Sequence, residues 1–312
     1  MSGYVAASNI PWKLIKNPQR INVPYHIQFI PTNRCNGNCS WCSCKNVDRG
    51  IELETQECID ILNYFNMLGA KAITITGGGE PTLHKEFEKV FKCIVDNEYK
   101  IGLVTNGILL SKGYYSELLN NNLTWCRISI TDTESGGYDF NRLLSCLDNL
   151  TDVDVGISFT VTGSVDMNTV KKICTIAREY INITHIRFTQ DILNAIDPFC
   201  LTAMERIKQV AKQITDKAII QFRDKYTIGM KNCFISKVKP VINCDGYIYP
   251  CCGAQYAIDE KNVMPESMRM CYWNDFENYE IFDGSICKVC YYNQYNEVIK
   301  SLKNEIEHED FI

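Results

Sequence analysis

The chain has 312 residues, 32 Lys and Arg against 37 Asp and Glu, and a net charge of −5, which argues against nonspecific nucleic-acid binding as its main activity. Hydrophobic content of 46% and charged content of 22% are those of a soluble globular protein with a sizeable core. No apolar run reaches membrane-spanning length, and MSGYVAASNIPWKLIK lacks the order of a signal peptide, so a cytosolic protein without membrane association is expected.

After an extended N-terminal arm, strand-like and helix-like segments alternate. Strands are expected at 26–30, 72–76, 101–105, 125–130, 153–161 and 185–189. Helices are expected at 55–68, 86–97, 114–120, 141–150 and 165–181, then at 203–214 with Thr202 as N-cap. Such alternation argues for parallel strands joined by helical crossovers. Near residue 218 the pattern changes: 218–222 is a further strand candidate, and beyond it cysteines and aromatics replace regular alternation. The boundary is therefore drawn between 1–217 and 218–312. No repeat or Gly/Ser linker separates the two parts, so the second is expected to pack on the first.

Chemistry concentrates where strands end. RCNGNCSWCSC places Cys35, Cys39 and Cys42 in a C-x3-C-x2-C spacing after the first strand. Thiolates select iron–sulfur clusters or zinc, and three local ligands without a matching fourth describe a site left open for something to bind. AITITGGGEP then runs a β-branched strand into Gly77, Gly78, Gly79, Glu80 and a proline. Such glycines let backbone approach a ligand, and Glu80 adds a carboxylate suited to an ammonium group; the competing reading is a glycine turn capping the next helix. No G-K-[ST] follows, so this is not a P-loop.

Seventeen cysteines in a reducing compartment are better read as metal ligands and buried thiols than as disulfides. KPVINCDGYIYPCC reads as a hairpin turning at Asp245-Gly246, with Cys233 before it, Cys251 and Cys252 after it, and Cys287 and Cys290 in ICKVC further on. A four-cysteine zinc ribbon is one reading of that set. Cys44, Cys58, Cys93, Cys126, Cys146, Cys174, Cys200 and Cys244 are most simply small buried apolar residues. Charge is uneven: 205–239 holds nine Lys/Arg against three Asp/Glu, and 275–312 the reverse. Two solvated faces explain this; a docking surface for an acidic electron donor such as a flavodoxin is the sharper alternative.

The Cys35/Cys39/Cys42 loop with Trp41 before its third cysteine, followed one helix later by GGGEP, resembles the radical S-adenosylmethionine (SAM) superfamily. The resemblance implies an α/β fold: a partial (β/α)6 TIM-like barrel, with function at the C-terminal strand ends. It implies a [4Fe-4S] cluster on the three cysteines, with SAM chelating the open iron. Gly77, Gly78, Gly79 and Glu80 would hold the methionyl amine, with Asn106 and Ser129 contacting SAM's ribose and carboxylate. Reductive cleavage would give a 5′-deoxyadenosyl radical that abstracts hydrogen from a small-molecule or peptide substrate. The second cysteine set resembles the Twitch subdomain, a shortened SPASM extension, in a small cysteine-rich α+β region. By that resemblance Cys233, Cys251, Cys287 and Cys290 would hold one auxiliary [4Fe-4S] cluster, with Cys252 an alternative ligand to Cys251.

The leading expectation is an oxidation in which the auxiliary cluster takes the second electron, with Asp191 as candidate base. Arg187 and Gln190 accompany Asp191 at the sixth strand's end, where a loop with a helix cap is the plain alternative. A radical epimerase or isomerase is the rival, with Cys252 or Cys271 as hydrogen donor; peptide modification is another, and a zinc-ribbon binding protein the remote one. His26 and His185, read as strand starts, are discounted as catalytic. Tyr138 is a candidate for the barrel mouth.

Overall fold

The computed structural model describes residues 22–130, 139–194, 196–223, 226–258 and 263–302. The N-terminal arm, Thr131, Asp132 and Tyr138 lie outside them. Strands and helices alternate as β1 (His26–Phe29), α1 (Thr55–Met67), β2 (Ala72–Ile75), α2 (Phe87–Asp96), β3 (Lys100–Thr105), α3 (Ser116–Asn122) and β4 (Trp125–Ile130). They continue as α4 (Phe140–Asn149), β5 (Asp154–Val161), α5 (Met167–Glu179), β6 (Ile183–Gln190), α6 (Pro198–Ile214) and β7 (Ala218–Gln221). The C-terminal part adds α7 (Ile235–Val238), β8 (Val241–Ile242), β9 (Ile248–Tyr249), α8 (Ala254–Ala257) and α9 (Asn293–Ser301).

The described strands form one sheet in the order β7-β6-β5-β4-β3-β2-β1-β8-β9. From β7 to β8 every pair is parallel; only the β8–β9 hairpin is antiparallel. Each crossover up to β7 thus steps to the next strand in space, which curls the sheet into a partial (β/α) barrel. β7 belongs to this run: Ala218 pairs with Ile186 of β6. At the opposite edge the hairpin continues the sheet from β1, and Tyr25, Gln28 and Ile30 donate to the carbonyls of Val238, Pro240 and Ile242. Its turn is at Gly246, whose φ of +78° suits glycine. The C-terminal part also packs on α1, with Phe276 against Phe65 at 5.3 Å and Trp273 against Tyr64 at 5.6 Å.

The strands alternate with period two, and the two faces meet different surroundings. In β4, Cys126, Ile128 and Ile130 are buried in the core, while Trp125, Arg127 and Ser129 line a cleft inside the barrel. The outward set of the other strands is equally apolar: Ile27, Phe29, Ile73, Ile75, Ile157 and Phe159 are all buried. The facing helices answer at helical spacing, as Phe87, Val90, Phe91 and Ile94 do in α2. Each such side chain contributes about 1.5–3 kcal/mol by leaving water. The inner face is instead polar and stepped in size. A Cβ on Gly102 would lie 2.1 Å from the Trp125 ring, and one on Gly156 2.4 Å from the His185 ring.

The last barrel helix begins earlier than expected. α6 starts at Pro198, and Asp197, not Thr202, caps it by accepting from the backbone N–H of Phe199 and Cys200. Proline at the first helical position with Asp before it is the stronger start signal. Thr202 lies inside the helix, donating its hydroxyl to the Pro198 carbonyl at 2.8 Å. His185 is the third residue of β6 and does not begin it.

Candidate active site

The loop after β1 and the turn after β2 are built against each other. Glu80 N–H donates to the Arg34 carbonyl at 2.7 Å. A Cβ on Gly79 would fall 2.1 Å from that same carbonyl oxygen, and one on Gly78 2.1 Å from Asn33 Oδ1. Gly79 is required because backbone occupies the space, and Gly78 because the Asn33 side chain does, whatever else these residues do. Arg49, a residue the sequence reading passed over, fastens the assembly. Its guanidinium donates to the carbonyls of Asn33 (3.1 Å), Gly78 (2.6 Å) and Cys44 (3.0 Å). Nothing in its surroundings of Asp48 and Gly50 forms a motif, so only tertiary contact reveals it.

Glu80 is 3% exposed, and its carboxylate accepts from Thr82 N–H, the Thr82 and Thr105 hydroxyls, and Asn106 N–H at 2.7 Å. Burial raises its pKa above the usual carboxylate range while those hydrogen bonds oppose the shift. The carboxylate thereby ties the glycine turn to the end of β3. Asn106 in turn donates its side-chain amide to Asn36 Oδ1 on the cysteine loop at 2.8 Å.

These elements open onto a cleft of about 640 Å³ lined by Cys35, Cys39, Trp41, Cys42, the three glycines, Glu80, Asn106 and Ser129. A methyl on Gly37 would touch the sulfurs of Cys35 and Cys39, at 3.7 and 3.8 Å, and Asn106 Nδ2 at 3.9 Å. Three thiols on one loop lining the same cleft, beside a glycine turn, fit a cluster held by three ligands with room for a fourth from outside.

The second cysteine set converges elsewhere. Cys233, Cys251, Cys287 and Cys290 line one small enclosed cavity, shared with Tyr256, Tyr291, Tyr292 and aliphatic groups. Glycines make room for it: a Cβ on Gly229 would lie 2.8 Å from that of Cys287, and one on Gly284 3.3 Å from that of Cys233. Burial pushes the Cys233 thiol up to about 11 and Cys287 up to about 12, and raises Cys251 and Cys290 as well. Residues from the segments 229–233, 250–257 and 284–296 thus close four thiols in a largely apolar shell. Among the described residues no three His, Cys, Asp or Glu side chains form a group able to hold a single metal ion.

The adjacent Cys251 and Cys252 part company. Cys251 faces the enclosed cavity, whereas Cys252 lines the barrel cleft, its sulfur 3.1 Å from the Tyr292 hydroxyl. Tyr256 borders both spaces. Cys44 bridges the two halves through a hydrogen bond to Gln255 Oε1 at 2.6 Å.

Three candidates have surroundings of their own. Asp191 is not among the residues lining the cleft, and its carboxylate accepts from Leu193 N–H and from Asn194 Nδ2, capping the turn that follows β6. Cys271 lines neither space; burial and nearby Asp275 push its thiol up to about 11. Not every cation of the basic stretch 205–239 is turned to solvent. Lys217 and Lys237 spend their ammonium groups on backbone carbonyls, while Arg223 and Lys239 turn into the cleft. Besides these two, Arg127, Arg142 and Arg187 also line the cleft, and only Arg187 was singled out from the sequence.

Residues 29–177 match the family described as the Radical SAM superfamily. The chain is 27% identical over 183 residues to the probable GTP 3',8-cyclase of Archaeoglobus fulgidus, covering 55% of this chain and 60% of that one. It is 30% identical over 120 residues to the PqqA peptide cyclase of Bradyrhizobium diazoefficiens, covering 38% and 31%. The chain therefore spans less than two thirds of the length of either relative. In fold it is similar to Streptococcus suis SuiB bound to its precursor peptide SuiA, at a TM-score of 0.59 and 14% identity, covering 96% of this chain and 77% of that one. With the cysteine loop, the glycine turn and the parallel barrel in register, residues 29–177 of this chain form a domain of the radical SAM superfamily.

Proposed function

We propose that the protein binds a [4Fe-4S] cluster on Cys35, Cys39 and Cys42 and SAM beside it, and oxidises a substrate held in the barrel cleft with the help of a second cluster on Cys233, Cys251, Cys287 and Cys290. When bound, the first cluster and SAM supply a 5′-deoxyadenosyl radical, and the second cluster supplies an acceptor for one electron. The chain's own residues position these groups. Arg49, Glu80 and Asn106 lock the cysteine loop, glycine turn and β3 end into one body. The polar inner face of the barrel receives the substrate.

The observation that carries this reading is the split of Cys251 and Cys252 between two adjoining spaces, one wide and one closed. Four thiols converging on one enclosed apolar space supply the ligand set that a four-iron cluster takes. The second reading is a radical epimerase or peptide-modifying enzyme in which Cys252 donates hydrogen; its favouring observation is that this thiol lines the cleft against Tyr292. Replacing all four cavity cysteines by Ala tests the proposal. The reconstituted wild type should hold twice the variant's iron, and the variant should still cleave SAM but release no oxidised product. A well-folded variant with wild-type iron would sink the second cluster. Solvent deuterium retained at an inverted carbon, without net oxidation, would favour the epimerase.

A further inference from the structure

Among the described residues that line the enclosed cavity, Asn296 carries the one side-chain amide. It stands in α9 and is 1% exposed. Both ends of the amide are engaged. Oδ1 accepts from the backbone N–H of Ile235 at 2.9 Å. Ile235 opens the one-turn helix α7, so that N–H has no acceptor within the helix. A backbone N–H only donates, which fixes the oxygen end of the amide on it and turns the nitrogen the other way. Nδ2 lies 3.8 Å from Cys233 Sγ, the acceptor left to it among the described residues. Burying an amide nitrogen is costly without a partner, and a bond to Ile235 alone needs no nitrogen. A second N–H reaches a cavity sulfur from the backbone, as Gly253 donates to Cys251 Sγ at 3.3 Å.

As a cluster ligand Cys233 would be a thiolate, which accepts hydrogen bonds and donates none. Reducing a cluster held by four thiolates adds negative charge, and an enclosed apolar shell opposes that addition. N–H donors aimed at the ligating sulfurs offset the penalty, and they weigh more in low dielectric than in water. Resting on the reading that Cys233, Cys251, Cys287 and Cys290 hold a second cluster, we infer that Asn296 is a positioning residue for it. The amide holds an N–H on the Cys233 sulfur and raises the cluster's reduction potential, which fits the cluster to accept an electron. Asn296 acts through that one sulfur, and its bond to Ile235 serves to aim the donor.

The test isolates the second cluster by placing Cys35→Ala, Cys39→Ala and Cys42→Ala together in the full chain and reconstituting it with iron and sulfide. This parent should hold about four irons, one cluster. Its midpoint potential is read by anaerobic redox titration followed by electron paramagnetic resonance. Asn296→Leu keeps the volume and removes the amide. Its reduction equilibrium should fall by about tenfold, which is about 59 mV for one electron. A residue that only stapled α9 to α7 would lower Tm or iron loading and leave the midpoint of the loaded protein where it was. Asn296→Asp keeps an acceptor for Ile235 and loses the donor, so it serves where Asn296→Leu does not load, and its midpoint should also fall below the parent's. Independently, parent protein isotopically labelled in its asparagine side-chain nitrogens should show, when reduced, a hyperfine coupling to the label that both variants lack. An unchanged midpoint in the variant that loads, or no such coupling in the parent, would overturn the inference and leave the second cluster in place. A parent that holds no iron fails the second-cluster reading, and the inference falls with it.

Discussion

Cys35, Cys39 and Cys42 stand on a loop at the edge of a wide polar cleft, whereas Cys233, Cys251, Cys287 and Cys290 surround a narrow space walled by tyrosines and aliphatic groups. Cys35 is exposed and its two companions are half-buried; Cys233 and Cys287 are buried. The same ligand atom is therefore set in two media. A site with three ligands and an open approach can take a fourth from a small molecule, and one with four ligands and a closed shell cannot. The buried thiols also have to give up protons that burial holds more tightly, so filling the cavity is coupled to deprotonation. On the proposed function, substrate access would belong to the first setting and electron storage to the second.

The comparison breaks most completely at the cysteines themselves. Cys35→Ala, Cys39→Ala or Cys42→Ala should abolish 5′-deoxyadenosine formation in anaerobic assays while leaving iron at the cavity. Retained cleavage in the triple variant would show that the open site was misassigned. The boundary between the two settings lies within one peptide bond. Cys251→Ala should remove about half of the iron, counting two four-iron clusters, whereas Cys252→Ala should keep all of it and alter only the fate of the substrate. Equal iron loss in both would mean that both side chains serve the cavity, against the split.

A smaller effect measures the field of the cleft. Burial, then Arg127 and Arg187, hold the His185 pKa down at about 4, against its ordinary 6.5. The unfolded chain accordingly takes up this proton first as pH falls. Stability is lost from pH 6.5 downward and levels off near the folded value, a total of about 3 kcal/mol from this residue. Urea unfolding of wild type and His185→Asn at pH 7 and pH 4.5 should show the gap between them shrinking at the lower pH. A pH-independent gap would mean that burial and the guanidinium groups do not lower the His185 pKa.

Much of the barrel was legible because its signals are local. β-branched runs, helical spacing and the Asp245-Gly246 turn each lie within a few residues, and β4 falls at its expected residues, Trp125–Ile130. Thr202 was misread because a cap and an interior threonine look alike until their partners are seen, and the sequence likewise could not show that Asp191 caps a turn. The cationic lining was within reach of the sequence: in WCRISI and ITHIRFTQ the polar residues occupy alternate positions, and period two puts them on one face. Lys239 and Arg223 carried no such signal, since they lie outside the strands.

By itself the sequence determined the thiol spacing, the glycine turn, the strand–helix alternation and the hairpin, since each is fixed by neighbours along the chain. Tertiary structure alone decided that Arg49 clamps three carbonyls from different segments, that Cys251 and Cys252 open into different spaces, and that, among the described residues, Arg142, Arg223 and Lys239 join the strand arginines at the cleft. The reason is physical. Charge density and burial are properties of volumes, and the residues sharing a volume here come from segments up to two hundred positions apart, as Cys44 and Gln255 do.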